Sequence, residues 1–314
     1  MVARLGEVWY AQSTSIYCFT CMPDKFSATW VSHSSISDYL ACPRSYYLKN
    51  VYKDPKSGRK ITLMSAPLAL GQAVHNTLEA LSELPRDQRF TIPLPERFKT
   101  EWAKVAGKQG GFFSDASEHT YRARGEAMIA RVYNHPGPIG NLSVKIQKDL
   151  PNFWLSEEEE IILCGKIDWL EYLPEQDAVH IIDFKTGKRR EDESSLQLPI
   201  YRLLVDECQQ RPVVKASYWY LEDDDELTEK ELPSLEESRK KVLLVAQKIK
   251  LARKIKKFDC PKGKEGCFAC GPMERILRGE GEYIGEDDFR RDLYVLPLRQ
   301  EEEEVKRVLF YSRR

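Results

Sequence analysis

The stretch GKIDWLEYLPEQDAVHIIDFKTGK, residues 165–188, decides the fold. It holds two runs rich in branched and aromatic residues, parted by PEQD, whose proline and aspartate suit a tight turn. Two strands joined by so short a turn form an antiparallel hairpin. Residues two apart in a strand share a face, so Asp183 and Lys185 emerge together while Phe184 turns the other way into packing. The spacing predicts Asp168 on the first strand, opposite that pair, so that two carboxylates and one ammonium converge.

Outward from the hairpin, residues 141–221 read as strand, strand, strand, helix, strand. SVKIQKD alternates, EEIILCGKIDWLEYL reads as one long strand, and AVHIIDFK follows; SSLQLPIYRLLVDECQQ is the helix and VVKASYWYLE the last strand. Upstream, PLALGQAVHNTLEALSEL sets Leu70, Val74, Leu78 and Leu81 on one helical face, with Pro67 suited to the first turn. The order α, β, β, β, α, β predicts an α/β core with a mixed sheet.

Around that core, residues 96–105 and 116–132 are amphipathic and predict a helical insertion over about 85–135. SSISDYLACPRSYYLKNVY predicts a helix capped by Ser35 or Ser37 and broken near Cys42 by Pro43. Residues 234–257 form a cationic helical arm whose apolar stripe is Val242, Leu243, Ala246, Ile249 and Ala252, leaving its basic side chains to solvent or to a phosphate backbone. The expected organisation is an irregular extension over 1–34, one domain over 35–276, and a charged, partly helical tail over 277–314.

The composition fits this reading. With 314 residues, 42% of them hydrophobic, the chain can bury a substantial core. A net charge of -1 hides acidic runs at 157–160, 223–226 and 301–304 and basic ones at 185–190 and 239–257, so a local nucleic-acid surface is not excluded. No stretch reaches the roughly 18 apolar residues of a membrane span, and the start lacks a signal-peptide core. The expected compartment is the cytoplasm, where eight cysteines serve as ligands or small buried residues rather than disulfides. Cys164 and Cys208 read as core, and the isolated pair Cys18 and Cys21 as part of a loosely ordered extension.

The chemistry follows from the hairpin. Two converging carboxylates suit Mg²⁺ or Mn²⁺, hard cations that keep water ligands and bridge to phosphate. Lys185 beside them can hold or deprotonate an attacking water, or stabilise charge on a scissile phosphate. In GQAVH, Gly71 stands four residues before His75 on one helix face, so the helix can approach the sheet and offer His75 to the metal. In QLPIY, Gln197 and Tyr201 stand at i and i+4, where an amide and a phenol can grip one DNA strand. Lys188, Arg189 and Arg190, just past the hairpin, add candidate phosphate contacts.

The series GQAVH, GKID, IIDFKTGK and QLPIY resembles the PD-(D/E)XK nuclease superfamily, in its RecB-like branch. That branch includes the nuclease domains of helicase–nuclease complexes and CRISPR-adaptation nucleases that carry an iron–sulfur cluster. The resemblance runs over about 35–276 and implies a restriction-endonuclease-like core. It implies that His75, Asp168 and Asp183 bind the metal, joined by the Phe184 carbonyl, that Lys185 is catalytic, and that Gln197 and Tyr201 are the QxxxY pair. It implies a metal-dependent deoxyribonuclease, an exonuclease on single-stranded or frayed ends. The alternative is a non-catalytic DNA-binding scaffold in a helicase complex. No Walker-type loop is present, so a helicase partner would be a separate chain.

DCPKGKEGCFACG, residues 259–271, brings three cysteines together, and a tetrahedral thiolate site takes four. The resemblance supplies the fourth, because cluster-bearing members place one cysteine in a segment similar to YLACPRSYYL, which makes Cys42 the partner of Cys260, Cys267 and Cys270. The family's third cysteine would stand at Ile276, and Cys260 takes its place here. The implied cofactor is a [4Fe–4S] cluster, with Zn²⁺ as the alternative. Either would join the N-terminal helix to the end of the arm across the core.

Overall fold

The computed structural model describes residues 24–146 and 148–297. Cys18, Cys21 and residues 298–314 lie outside the described residues. In chain order the elements are β1 (Thr29–Val31), α1 (His33–Ala41), α2 (Pro43–Tyr46), β2 (Ile61–Leu63), α3 (Ala66–Glu79), α4 (Leu94–Ala103), α5 (Asp115–Asn134), β3 (Asn152–Ser156), β4 (Ile161–Cys164), β5 (Trp169–Leu173), β6 (Ala178–Lys185), α6 (Gln197–Cys208), β7 (Val213–Tyr220), β8 (Thr228–Lys230), α7 (Leu235–Ile255), α8 (Gly271–Leu277), β9 (Glu282–Glu286) and β10 (Asp292–Val295).

The central sheet has the order β5-β6-β7-β8. β5 and β6 pair antiparallel around the turn at Pro174–Gln176, where Asp177 takes the left-handed conformation. β6 then pairs parallel with β7 through the crossover helix α6, and β8 closes the edge antiparallel. Every residue of β6 before Lys185 is buried, as befits a strand covered on both faces. Val179 and Ile181 pack on the side of α6 and α7, whereas Ile182 and Phe184 pack on the side of α3, α4 and α5. The period of two thus sends Asp183 and Lys185 toward α6 and Phe184 toward α3. Leu70, Val74, Leu78 and Leu81 are at most 1% exposed and fix α3 over the sheet, each worth about 1.5–3 kcal/mol of burial.

A second sheet, β1-β4-β3, continues the sandwich. Here the expectations change. The long strand expected over 159–173 is two strands, β4 and β5, separated by residues 165–168. Asp168 therefore sits in the break and not within a strand. The break has a cause: the Phe184 N–H donates to Asp168 Oδ2 at 2.8 Å, so a side chain replaces the backbone acceptor that a continuous ladder would offer. Among its described residues SVKIQKD makes only a bridge between Ser143 and Glu171, and the strand forms instead at β3, where Trp154 and Phe153 meet β4.

The chain ends also differ from expectation. Thr29–Val31, read as irregular, pairs parallel with β4, and α1 is capped by Ser32, which exchanges hydrogen bonds with Ser35 in a capping box. α1 stops at Cys42, and Pro43 opens α2, where its missing N–H costs nothing. In the region read as a partly helical tail, β9 and β10 pair with each other, and β10 pairs parallel with β2. Buried Leu293 and Val295 anchor that strand; their apolar signal was masked by the acidic and basic residues around them.

Candidate active site

The C-terminal end of β6 carries Asp183 and Lys185, α3 brings His75 from the other side, and the β4–β5 break brings Asp168 between them. His75 Nδ1 lies 3.5 Å from Asp168 Oδ2 and 3.3 Å from Glu79 Oε1. Lys185 Nζ lies 2.8 Å from Asp183 Oδ2 and 3.2 Å from Glu191 Oε2, and also donates to Gln197 Oε1. The Gln197 amide turns its other end to Asp183 Oδ1 at 2.5 Å and to the Tyr201 hydroxyl at 3.3 Å. Gln197 and Tyr201, read as strand-gripping residues, are 6% and 7% exposed and spend their polar atoms inside the site. Their fixed position comes from α6, whose first turn stands directly beside the strand end.

The electrostatics are those of charges crowded away from water. Burial, then Asp168, pushes Asp183 up to about 7. Burial would do the same to Asp168, but His75 and the Phe184 N–H overcome it and hold that carboxyl below its usual range. His75 is opposed by burial, yet Asp168 and Glu79 keep it well above the ordinary imidazole value. For Lys185, too, burial is outweighed, here by Asp183 and Glu191, so the ammonium is held charged.

These side chains fit a divalent cation. Donor atoms of His75, Glu79 and Asp168 lie within 4.8 Å of one another. Asp183 Oδ2 is buried and, though close to the ammonium, receives no hydrogen bond of good geometry, which leaves an acceptor facing the site. The carboxylate oxygens suit Mg²⁺ or Mn²⁺, and the one imidazole is a ligand that transition metals also take. Gly71 matters less than its spacing promised, since a Cβ there would stand 3.4 Å from Thr186 Oγ1, at the edge of ordinary contact.

Sequence reasoning missed two residues. Glu79 is one helical turn from His75 and so was within reach of the i, i+4 rule. Glu191 lies in the charge run 188–193 and gave no signal of its own. It is aimed at Lys185 because its segment is pinned on both sides of it: the Glu191 N–H donates to the Tyr220 hydroxyl, and Arg190 forks onto Asp224 at 2.5 and 3.1 Å while stacking over Tyr220. Arg190, though exposed, is thereby committed to Asp224, whereas Lys188 and Arg189 are exposed and make no ion pair among the described residues. On the arm, Arg239, Lys250 and Arg253 bond to Leu155, Glu159 and Tyr46.

A cavity of about 860 Å³ opens at Asp168 and Glu79 and runs past Lys104, Lys145, Lys148 and Lys166. It gives Asp168 and Glu79 access to solvent, while Asp183 stays buried behind them. A different polar chain, Glu171–His180–Ser217, has links of 2.8 Å and the connectivity of a hydrolase triad, but Ser217 is 1% exposed and sealed in the core. Elsewhere, Cys42, Cys260, Cys267 and Cys270 have all four sulfurs within 4.8 Å of one another, a group able to hold a metal or a cluster. Cys164 is buried beside β1, and Cys208 is half-buried near Asn152.

A mixed sheet flanked by helices, with carboxylates and an ammonium meeting at a strand end, agrees with a restriction-endonuclease-like fold. The profile of the PD-(D/E)XK nuclease superfamily matches residues 30–274, and the chain belongs to that superfamily. No curated protein matched the sequence. No helix among the described residues is long and apolar enough to cross a membrane.

Proposed function

We propose that the protein is a Mg²⁺- or Mn²⁺-dependent deoxyribonuclease, acting as an exonuclease on single-stranded or frayed DNA in repair, recombination or CRISPR-type processing. The observation that carries it is the meeting of Asp168, Asp183 and Lys185 at one strand end, with His75 and Glu79 beside them and a cavity leading to solvent. His75, Asp168, Asp183 and the Phe184 carbonyl, with Glu79 added, would hold the cation. A divalent cation so held lowers the pKa of water and neutralises charge on phosphate.

The chain's own residues do the rest. Lys185, held charged by Asp183 and Glu191 in the metal-free site, supplies a positive charge toward the scissile phosphate. Gln197 holds Lys185 and Asp183 in register, so neither has to reorganise when charge develops. Lys188 and Arg189 are available to the phosphate backbone beyond the site. A helicase or CRISPR-type partner would be a separate chain, and the working compartment the cytoplasm.

The test is incubation with end-labelled single-stranded and duplex DNA in Mg²⁺, Mn²⁺ or EDTA. Metal-dependent shortening from the ends is the expected result, slowed about 10²–10³-fold in Lys185→Ala. If no metal supports cleavage and the variant binds DNA like the parent, the protein is the non-catalytic scaffold instead.

A further inference from the structure

The four cysteines lie at two distant parts of the chain, Cys42 at the junction of α1 and α2 and the others between α7 and α8. Their sulfurs all lie within 4.8 Å of one another, and Cys267 Sγ is 3.7 Å from Cys270 Sγ. Thiolates bound to one tetrahedral ion at about 2.3 Å stand about 3.8 Å apart along each edge. The observed pair matches that edge. A four-iron cluster instead binds each thiolate to a different iron, on the outside of an eight-atom core, and so sets its sulfurs apart by the width of that core and two further bonds.

The surroundings are close-packed about Cys42 and Cys270, while Cys260 and Cys267 stand half-buried in the loop before α8. Cys42 and Cys270 are 0% exposed and packed against Leu48, Ile61 and Met273. Gly266 passes so near that a Cβ would meet Cys270 Sγ at 3.2 Å, on a backbone with φ +79° that favours glycine. Arg44 pairs with Glu274 at 2.6 Å, and the Ser45 hydroxyl donates to the Ala269 carbonyl at 3.0 Å, which locks the two halves at their present separation. Amides are already turned to the sulfurs: the Lys262 N–H donates to Cys260 Sγ at 3.4 Å and the Cys267 N–H to Cys270 Sγ at 3.2 Å. Donors of this kind orient and stabilise thiolate ligands.

We propose that Cys42, Cys260, Cys267 and Cys270 hold a single tetrahedral Zn²⁺ ion rather than an iron–sulfur cluster. The site is closed, with four protein ligands and none left for a substrate, which makes its role structural. This inference stands apart from the nuclease reading, because it concerns neither Asp168 nor Asp183.

The experiment is anaerobic purification of the full chain, with metal content, acid-labile sulfide and visible absorbance measured on the same sample. About one zinc per chain, no sulfide and no broad band near about 400 nm are expected. Iron with sulfide and that band, or a folded protein holding no metal, would overturn the proposal. Asp168→Asn should keep the zinc and Cys42→Ser should lose it; the reverse would assign the ion to the nuclease site. Should Cys42→Ser fail to fold, the unaltered protein produced in cobalt-supplemented, zinc-depleted medium gives the second reading: thiolate-to-cobalt absorption supports a four-sulfur site, and a folded, cobalt-containing protein without it sinks the proposal.

Discussion

The strand-end site and the cysteine site are opposites built from the same need to gather ligands. The first is crowded with unequal charges, opens to a cavity, and leaves Asp183 Oδ2 without a good hydrogen bond. The second is closed by four protein ligands, with sulfurs within 4.8 Å of one another and amides aimed at two of them. An open site can exchange water and substrate, and its groups are held in place by competing partners. A closed one can only hold the chain. The difference teaches where each kind of damage should register, in rate at one site and in stability at the other.

Lys185→Ala should give the largest effect on rate. Removing a fixed charge at the reacting phosphate costs about 10²–10³-fold in turnover. The cysteine-bound metal and the melting temperature should stay near those of the parent, and a loss of both would erase the contrast between the sites. Cys42→Ser should do the converse. The melting temperature should fall by roughly 10 °C, which at about 2–4 °C per kcal/mol for a chain of this size corresponds to a few kcal/mol, while cleavage per folded molecule persists. Calorimetry and single-turnover assays on the same preparations would separate the two.

A further effect concerns pH. Asp183 sits near 7 in the fold and near about 3.9 when unfolded, so the metal-free native state binds the extra proton. Its stabilising contribution is full below about pH 4 and is lost as pH rises toward about 7. Cation binding must expel that proton and the one His75 carries, so Mg²⁺ or Mn²⁺ affinity should climb about a hundredfold per pH unit up to about pH 7 and about tenfold per unit above it. If Asp183 were not a ligand, titration calorimetry across pH 5–8 would find a single slope with no break near pH 7.

The smallest effect is expected from Glu191→Gln. It removes one carboxylate from a partly exposed ion pair while Asp183 and Gln197 still hold Lys185. A loss of about 1 kcal/mol, or about fivefold in kcat with KM unchanged, should follow. An equal loss from Glu191→Gln and Lys185→Ala would mean that the carboxylate, and not the ammonium, does the chemistry.

The sequence was readable where burial is uniform. AVHIIDFK declares a strand covered on both faces, and the period of two correctly sends Asp183 and Lys185 to one side and Phe184 to the other. It was unreadable where a side chain does the work of backbone. Nothing in GKIDWL shows that Asp168 accepts from the Phe184 amide and so interrupts the strand that seemed to contain it. Glu79 looked like one more acidic residue on a helix, and Glu191 like one more in a charged loop, because their roles depend on what the fold places opposite them. The strands β9 and β10 were hidden for a related reason: their apolar residues are few and gain meaning only beside β2.

That pairing of β10 with β2 has a further consequence. Together with the Arg44–Glu274 and Ser45–Ala269 contacts, it lays the far part of the chain directly on the near part. A protease cut in the exposed stretch at 86–88, between α3 and α4, would therefore yield two pieces that still migrate as one particle under native conditions. Only denaturant, together with a chelator for the cysteine-bound ion, should set them apart.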